Sequence, residues 1–588
     1  MKRNPCFFVC LVVGLCTIAP SIKANEGQIP SLLDQKDLRA VVADLEAYLP
    51  QLITKARVPG LQVALIREGK IVWHGSYGVR SFKTGDPVTD DTIFEAASLT
   101  KPFFAYYVMK LVDQGVLSLD KPLLSYMPRT LVEQGLGHSL DEKGFRLDWL
   151  EKITARHVLS HSAGTPHGER GKPYPLFFEP GTKWKYSADG YFFLQKAVEL
   201  LKGDKLENLM EREILDPLGM TRSCLVWKDA YEKTMANGHG FFGQPEDFRR
   251  RTEAHAAATL YTTAEDYAKF VCAVLNGDGL RPETHTEMLT SQIDMDKAKG
   301  LGWSLGFGVQ TDANGQAIWQ WGDYGIFRNY IIAYPAPKTG VIYFANSFHG
   351  LGICQDIVGR SIGGLDAGRA ALDYLPYNSP LYEFAWELKD KGPRVVERLP
   401  ELKRTHPEAF TPQRLGFLAE MLQGERTLTP QLLALLEFVL KERPKSGQAR
   451  LDLAKAYLTA GDGGKARSYL EKIGQAEEDK VEPGIIEWNL AHARALENPE
   501  KLEAEYMKKL AGDYPPRHIT YRDGRLYYFR EAGTYPEPRL LVAMSKDTFV
   551  LEGGVGFRFK IEFDENGDPL KVVGVYEDGR RDETLRSK

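Results

Sequence analysis

Two β-rich runs meet at Glu68-Gly69 in VPGLQVALIREGKIVWHGSYGV, and that dipeptide is a hairpin signal. The next strand-like runs come only after residue 300, at LGWSLGFGVQT, IWQWGDYG, FRNYIIAYP and GVIYFANS. Helices and loops fill the interval, and an amphipathic helix from Asp37 to about Lys55 precedes the hairpin. A chain that opens with a hairpin, inserts helices and closes with more strands implies one α/β (α+β) domain whose sheet is completed late.

The rest of the chain has another character. With 588 residues it is too long for one hydrophobic core. From Pro380 to about Leu510 the pattern is helical. ARLDLAKAYLTAGDGGKARSYLEKI looks like one helical hairpin of the tetratricopeptide type, but such repeats need stacked neighbours, so a helical spacer is the plainer reading. After Arg517 the pattern alternates, with turn signals at Asp523-Gly524, Asn566-Gly567 and Asp578-Gly579. The expected organisation is a signal peptide at 1–24, a main domain at 25–375, a spacer at 376–512 and a small β domain at 513–588.

MKRNPCFFVCLVVGLCTIAPSIKANEG has a basic start, an apolar run from about Cys6 to Ala19 and small residues near Ala24. It reads as a secretory signal, so the protein is expected to be exported, periplasmic or extracellular. Leu15 before Cys16 argues against lipidation, and no later run is long enough to span a bilayer. Three cysteines then remain, Cys224, Cys272 and Cys354, too far apart for a metal site and read as buried free thiols. A formal net charge of −4 gives no reason to expect nucleic acid or an anionic membrane as partner.

Lys101 is the residue out of place. From Pro102 the chain reads as a buried helix, yet a lysine stands at its front, where the macrodipole opposes a cation and burial penalises it. Residues three apart on a helix share a face at about 5–6 Å. Ser98 and Lys101 therefore point the same way if the helix begins near Ser98, and Pro102 supports that start. A partly desolvated lysine has a lowered pKa and can take a serine proton; the helix N-terminus favours an oxyanion. The spacing recurs at Ser118-Leu119-Asp120-Lys121, in a polar turn that opens no apolar helix and reads as surface.

VPGLQVALIREGKIVWHGSYGV, TIFEAASLTKP, ITARHVLSHSAGTP and LYTTAEDYAKF occur in the order seen in the class C β-lactamase-related serine hydrolases, which include D-alanyl-D-alanine carboxypeptidases, D-aminopeptidases and some esterases. The chain resembles that family from about Val58 to Ser347. The resemblance implies a serine β-lactamase/D,D-peptidase-like fold, an antiparallel sheet beside a helical subdomain. It implies Ser98 as nucleophile and Lys101 and Tyr186 as proton-transfer groups, Tyr186 being the tyrosine of a Tyr-x-Asn motif. Ala188 stands where the asparagine is usual. The Lys/His-x-Gly motif aligns with Gln320-Trp321-Gly322, which replaces a titratable group with neutral Gln320. The glycine would let substrate approach, and the N–H groups of Ser98 and Asp323 would hold the oxyanion.

These departures weaken the reading as an efficient β-lactamase; a D-alanyl-D-alanine carboxypeptidase or weak β-lactamase is the alternative within enzymes. An esterase, amidase or peptidase acting on a small-molecule or peptide carbonyl fits better, with no metal or organic cofactor implied. The rival is a degenerate binding module, motivated by Ala188 and Gln320, with protein contacts made through the helical and β regions. Asp189 and Asp323 read as turn residues, and His157 and His161 as packing residues. His349 has no evident partner.

Overall fold

The computed structural model describes residues 32–33, 37–169, 171, 173–475, 478–531 and 538–587. The expected signal peptide lies outside the described residues. The chain divides at Asn378/Ser379 into two compact units.

The first unit is built on one antiparallel sheet. Helix α1 (Leu38–Lys55) leads into β1 (Gly60–Arg67) and β2 (Lys70–Gly78). Glu68 and Gly69 both adopt positive φ, 54° and 71°, as the twist of a two-residue hairpin demands. Helix α2 (Thr100–Asp113), α3 (Asp189–Lys202) and α4 (Ala264–Asn276) follow among loops and shorter helices. Strands β3 (Ile293–Asp296), β4 (Leu301–Trp303), β5 (Gly308–Asp312), β6 (Gly315–Asp323), β7 (Arg328–Tyr334) and β8 (Thr339–Ala345) then complete the sheet. The spatial order is β2-β1-β8-β7-β6-β5-β4-β3, so the first hairpin pairs with the last strand, Leu61 opposite Ala345. The run LGWSLGFGVQT, read as a single stretch of strand, is two strands. Ser304 N–H donates to Phe307 C=O at 2.8 Å, and Gly306 takes φ 111°, a value that suits glycine.

Both faces of this sheet are covered. Leu61, Val63 and Leu65 of β1 meet Val41, Leu45, Leu49 and Leu52 of α1 and Ile357 and Val358 of α5 (Cys354–Ser361) in one core. Ala64 and Ile66 face the other way, into a second core shared with Phe103, Phe104 and Val108 of α2. That is why β7 and β8 are buried at every position. Helix α2 is buried from Thr100 to Met109, polar residues included.

In the second unit, α6 (Thr429–Glu442), α7 (Gly447–Thr459), α8 (Gly463–Leu470) and α9 (Pro483–Glu497) follow one another as antiparallel neighbours. The eight-stranded sheet that follows pairs each strand with the next along the chain, from β9 (Gly512–Tyr514) through β10 (Arg517–Arg522), β11 (Arg525–Arg530), β12 (Arg539–Ala543), β13 (Thr548–Leu551), β14 (Phe557–Phe563) and β15 (Pro569–Tyr576) to β16 (Arg581–Leu585). Ser587 N–H donates to Asp513 C=O at 2.8 Å, bringing the end of the sheet back to its start. Helices and sheet share polar contacts: Lys455 Nζ lies 2.7 Å from Glu577, Asn489 Nδ2 donates to the same carboxylate at 2.6 Å, and Arg558 stacks on Trp488 at 3.8 Å.

Among the described residues no helix is long and apolar enough to cross a membrane, and no cluster of His, Cys, Asp or Glu could hold a metal ion. Cys224, Cys272 and Cys354 are free, the first and last buried.

Candidate active site

From Thr92 to Met109 every residue is buried except Ser98, which is half-buried. Ser98 sits in a short 3-10 turn, Ala97–Leu99, that runs straight into α2. Pro102 falls in the first turn of α2, where its missing N–H costs nothing. Ala97 has φ 50°, a strained value for a residue with a Cβ. It is held by its neighbours: Ala96 N–H donates to Leu260 C=O at 2.8 Å, and Thr100 Oγ1 donates to Ala97 C=O at 2.7 Å.

Lys101 Nζ lies 3.0 Å from Ser98 Oγ and donates to Ala257 C=O at 2.9 Å. The side chain is 1% exposed, and among the described residues no carboxylate lies within ion-pairing distance. Desolvation therefore lowers its pKa from 10.5 to about 7. The aromatic faces of Tyr186 and Tyr191, 4.8 and 5.6 Å from Nζ, are its other close company.

Tyr186 arrives from the loop before α3. Its phenol oxygen accepts from Gln320, and desolvation pushes its pKa well above the usual tyrosine value. Gln320 Nε2 donates to Tyr186 Oη at 3.1 Å and to Ser98 C=O at 3.2 Å. The pairing is possible because β6 runs hard against the segment before the serine: a Cβ on Gly322 would stand 2.2 Å from Ala96 O. The glycine that was expected to admit substrate thus first admits the chain's own carbonyl. Gly322→Ala is expected to cost about 1–3 kcal/mol of stability, as overpacking does, and to slow acylation of Ser98. Thermal melting and probe-labelling rate, measured on the same protein, check both.

Trp321 is buried and backs the tyrosine, with its ring 4.6 Å from that of Tyr186 and 5.9 Å from that of Trp319. The Asp323 carboxylate is spent on structure, accepting from Gly325 N–H at 2.6 Å, Arg328 Nε at 3.1 Å and Tyr374 Oη at 2.7 Å. Asp189 lies in the first turn of α3, where an acid suits the helix dipole. The second S-x-x-K is on the surface: Ser118 is exposed, its Oγ accepting from Asp120 N–H, and Lys121 lies over Tyr126.

His157 caps a short helix, its Nδ1 accepting from Thr154 N–H at 3.3 Å. His161 does more than pack. Its ring lies 4.2 Å from that of Tyr186, and its Nδ1 accepts from Ser187 N–H at 3.1 Å, so it braces the tyrosine segment from below. Burial, with Lys101 nearby, keeps it neutral. His349 has a partner after all: its Nε2 is 2.9 Å from Phe241 C=O. Sequence reasoning missed the Ala257 carbonyl, Tyr191 and the bracing role of His161.

Residues 41–353 match the Beta-lactamase family model, over half of the chain. The chain belongs to the β-lactamase family. Residues 433–482 match a tetratricopeptide repeat model. Among curated β-lactamase-family relatives, Esterase EstB of Burkholderia gladioli is 26% identical over 332 residues, covering 46% of this chain and 80% of that protein. An unguisins hydrolase of Aspergillus violaceofuscus is 25% identical over 263 residues, covering 40% of this chain and 45% of that one, less than half of the relative's length. A solved D-alanine carboxypeptidase, AmpC from Burkholderia cenocepacia, is 21% identical with a TM-score of 0.45, covering 53% of this chain and 95% of that one. The β-lactamase family is one of serine hydrolases, and the relatives of this chain include an esterase, an amidase and penicillin-binding proteins.

Proposed function

We propose that the protein is an exported serine hydrolase of the class C-related kind that cleaves an ester or amide through an acyl-enzyme on Ser98. The observation that carries the reading is the buried Lys101 amine 3.0 Å from the half-buried Ser98 Oγ. As Oγ bonds to the carbonyl carbon, its proton passes to Lys101 Nζ, which is available as a neutral base because burial has brought its pKa to about 7. The carbonyl oxygen becomes an oxyanion, for which the N–H groups of Ser98 and Asp323 are the proposed donors. The tetrahedral species collapses, the bond to the leaving oxygen or nitrogen breaks, and Tyr186 gives that atom a proton and regains one from the Lys101 ammonium. Water repeats the sequence on the acyl-enzyme and frees the acid.

Gln320 and Ala188 turn the reading towards esters and simple amides. Gln320 cannot supply the cation, and Ala188 cannot supply the amide, with which the family's β-lactamases hold their substrates. The signal-like start of the chain motivates export. A fluorophosphonate probe is expected to add one phosphonyl group to Ser98, read by peptide mass spectrometry. Folded protein that carries no adduct there with this probe or with a labelled penicillin contradicts the proposal.

A further inference from the structure

We propose that Arg249 and Arg251 form an anion-binding wall beside Ser98, so that the preferred substrate is an ester or amide that also carries a carboxylate. This rests on the serine-hydrolase reading above and gives it a substrate class.

Both arginines lie against one ring. The guanidinium carbon of Arg249 is 4.6 Å and that of Arg251 4.8 Å from the ring centre of Tyr324. Tyr324 follows Asp323, whose N–H is the second proposed oxyanion donor. Its Oη donates to Ala258 C=O at 2.7 Å, one residue past the carbonyl that takes the Lys101 hydrogen bond. The tyrosine therefore spans from the end of β6 to the segment that holds Lys101. The two guanidinium groups on its ring stand at the edge of the reaction centre.

One carboxylate faces them, and it is not enough. Glu95, 2% exposed and three residues before Ser98, has its Oε2 3.5 Å from Arg251 Nη2, an ion pair too long for a good hydrogen bond. Its Oε1 accepts from the Arg249 backbone N–H at 3.3 Å. Arg251 Nε and Nη2 are buried, and among the described residues neither makes a hydrogen bond; nor does Glu95 Oε2. The half-buried Arg249 has no ion-pair partner for its guanidinium among the described residues. Arg250, between them, is held elsewhere by Glu232 at 2.6 Å. A purely structural role would need one arginine hydrogen-bonded to Glu95. The chain supplies two and bonds the side chain of neither.

Buried donors without acceptors are costly, and a ligand that brings acceptors relieves the cost. The planar fork of a guanidinium fits a carboxylate. The charge balance points the same way. Two guanidinium groups against one carboxylate leave a single positive charge, which a monoanionic carboxylate neutralises and a dianionic phosphate would overshoot.

The test uses the full chain and two pairs of fluorophosphonates. The members of a pair differ only in a terminal carboxylate or its methyl ester, set on the phosphorus-bound alkyl chain in one pair and on the alkoxy chain in the other. The quantity read is the ratio of Ser98 labelling rates, acid over methyl ester. Wild-type protein is expected to favour the acid at least about tenfold in one pair. Arg249→Met is expected to remove most of that preference, and Arg249→Glu to reverse it. Arg251→Lys keeps the charge without the fork and is expected to lower the ratio about threefold. Melting curves identify which variants fold. Equal rates within both pairs for wild type, or a preference that survives in folded Arg249→Met or Arg249→Glu, overturns the anion-binding wall and leaves the hydrolase reading standing. Wild-type protein that labels at Ser98 with none of the four probes overturns both.

Discussion

Ser98→Ala is expected to abolish turnover, by about four orders of magnitude or more, and to leave the fold intact. The substitution removes one oxygen from the half-buried residue of an otherwise buried stretch. Lys101 keeps its hydrogen bond to Ala257 C=O, and Gln320 keeps the Ser98 backbone carbonyl, so nothing else in the site needs to move. Hydrolysis of short esters, D-amino-acid amides, peptides and a chromogenic cephalosporin by the two proteins is the measurement. The same variant separates enzyme from recognition module: full biological activity in Ser98→Ala would favour the binding role and count against catalysis.

How far the site could be read from the sequence follows from the reach of its contacts. Ser98 and Lys101 were legible because helix geometry alone brings them together, and Pro102 marks where that helix starts. The turns at Glu68-Gly69, Asp523-Gly524, Asn566-Gly567 and Asp578-Gly579 were legible for the same reason: a glycine at positive φ is a local requirement, and each of the four glycines has one. The contact of Gln320 with Ser98 was not, because 222 residues separate them and a strand must be threaded past Ala96 before they meet. The motif alignment placed Gln320 and Gly322 near the serine, but not what they do there. Trp321 is inside the site and faces no solvent. Ala96 O lies where a Cβ on Gly322 would stand. Likewise β1 announced a hairpin, but its pairing with β8 depends on closing the longest loop in the sheet, which no local pattern encodes.

Lys101 also ties activity to stability, and Lys101→Met shows both sides. Activity is expected to fall by three orders of magnitude or more, since methionine fills the volume but cannot take a proton. Stability is expected to rise. The wild-type ammonium loses its hydration on folding, and the pKa falls from 10.5 to about 7 as a result. Below pH 7 the lysine is protonated in both folded and unfolded chains, and the full desolvation penalty is present. Between pH 7 and 10.5 the unfolded chain binds the extra proton, so wild-type stability climbs with pH. Above 10.5 the penalty is gone. The difference in melting temperature, variant minus wild type, is therefore expected to be positive and largest at pH 7 and below, shrinking steadily towards pH 10. The wild-type turnover rate should climb through the lower end of the same window, because the neutral amine that relieves the fold is the one that accepts the serine proton. A melting difference that does not depend on pH, or wild-type turnover that is flat across pH 7, would mean that Lys101 keeps an ordinary pKa and that the base for Ser98 lies elsewhere.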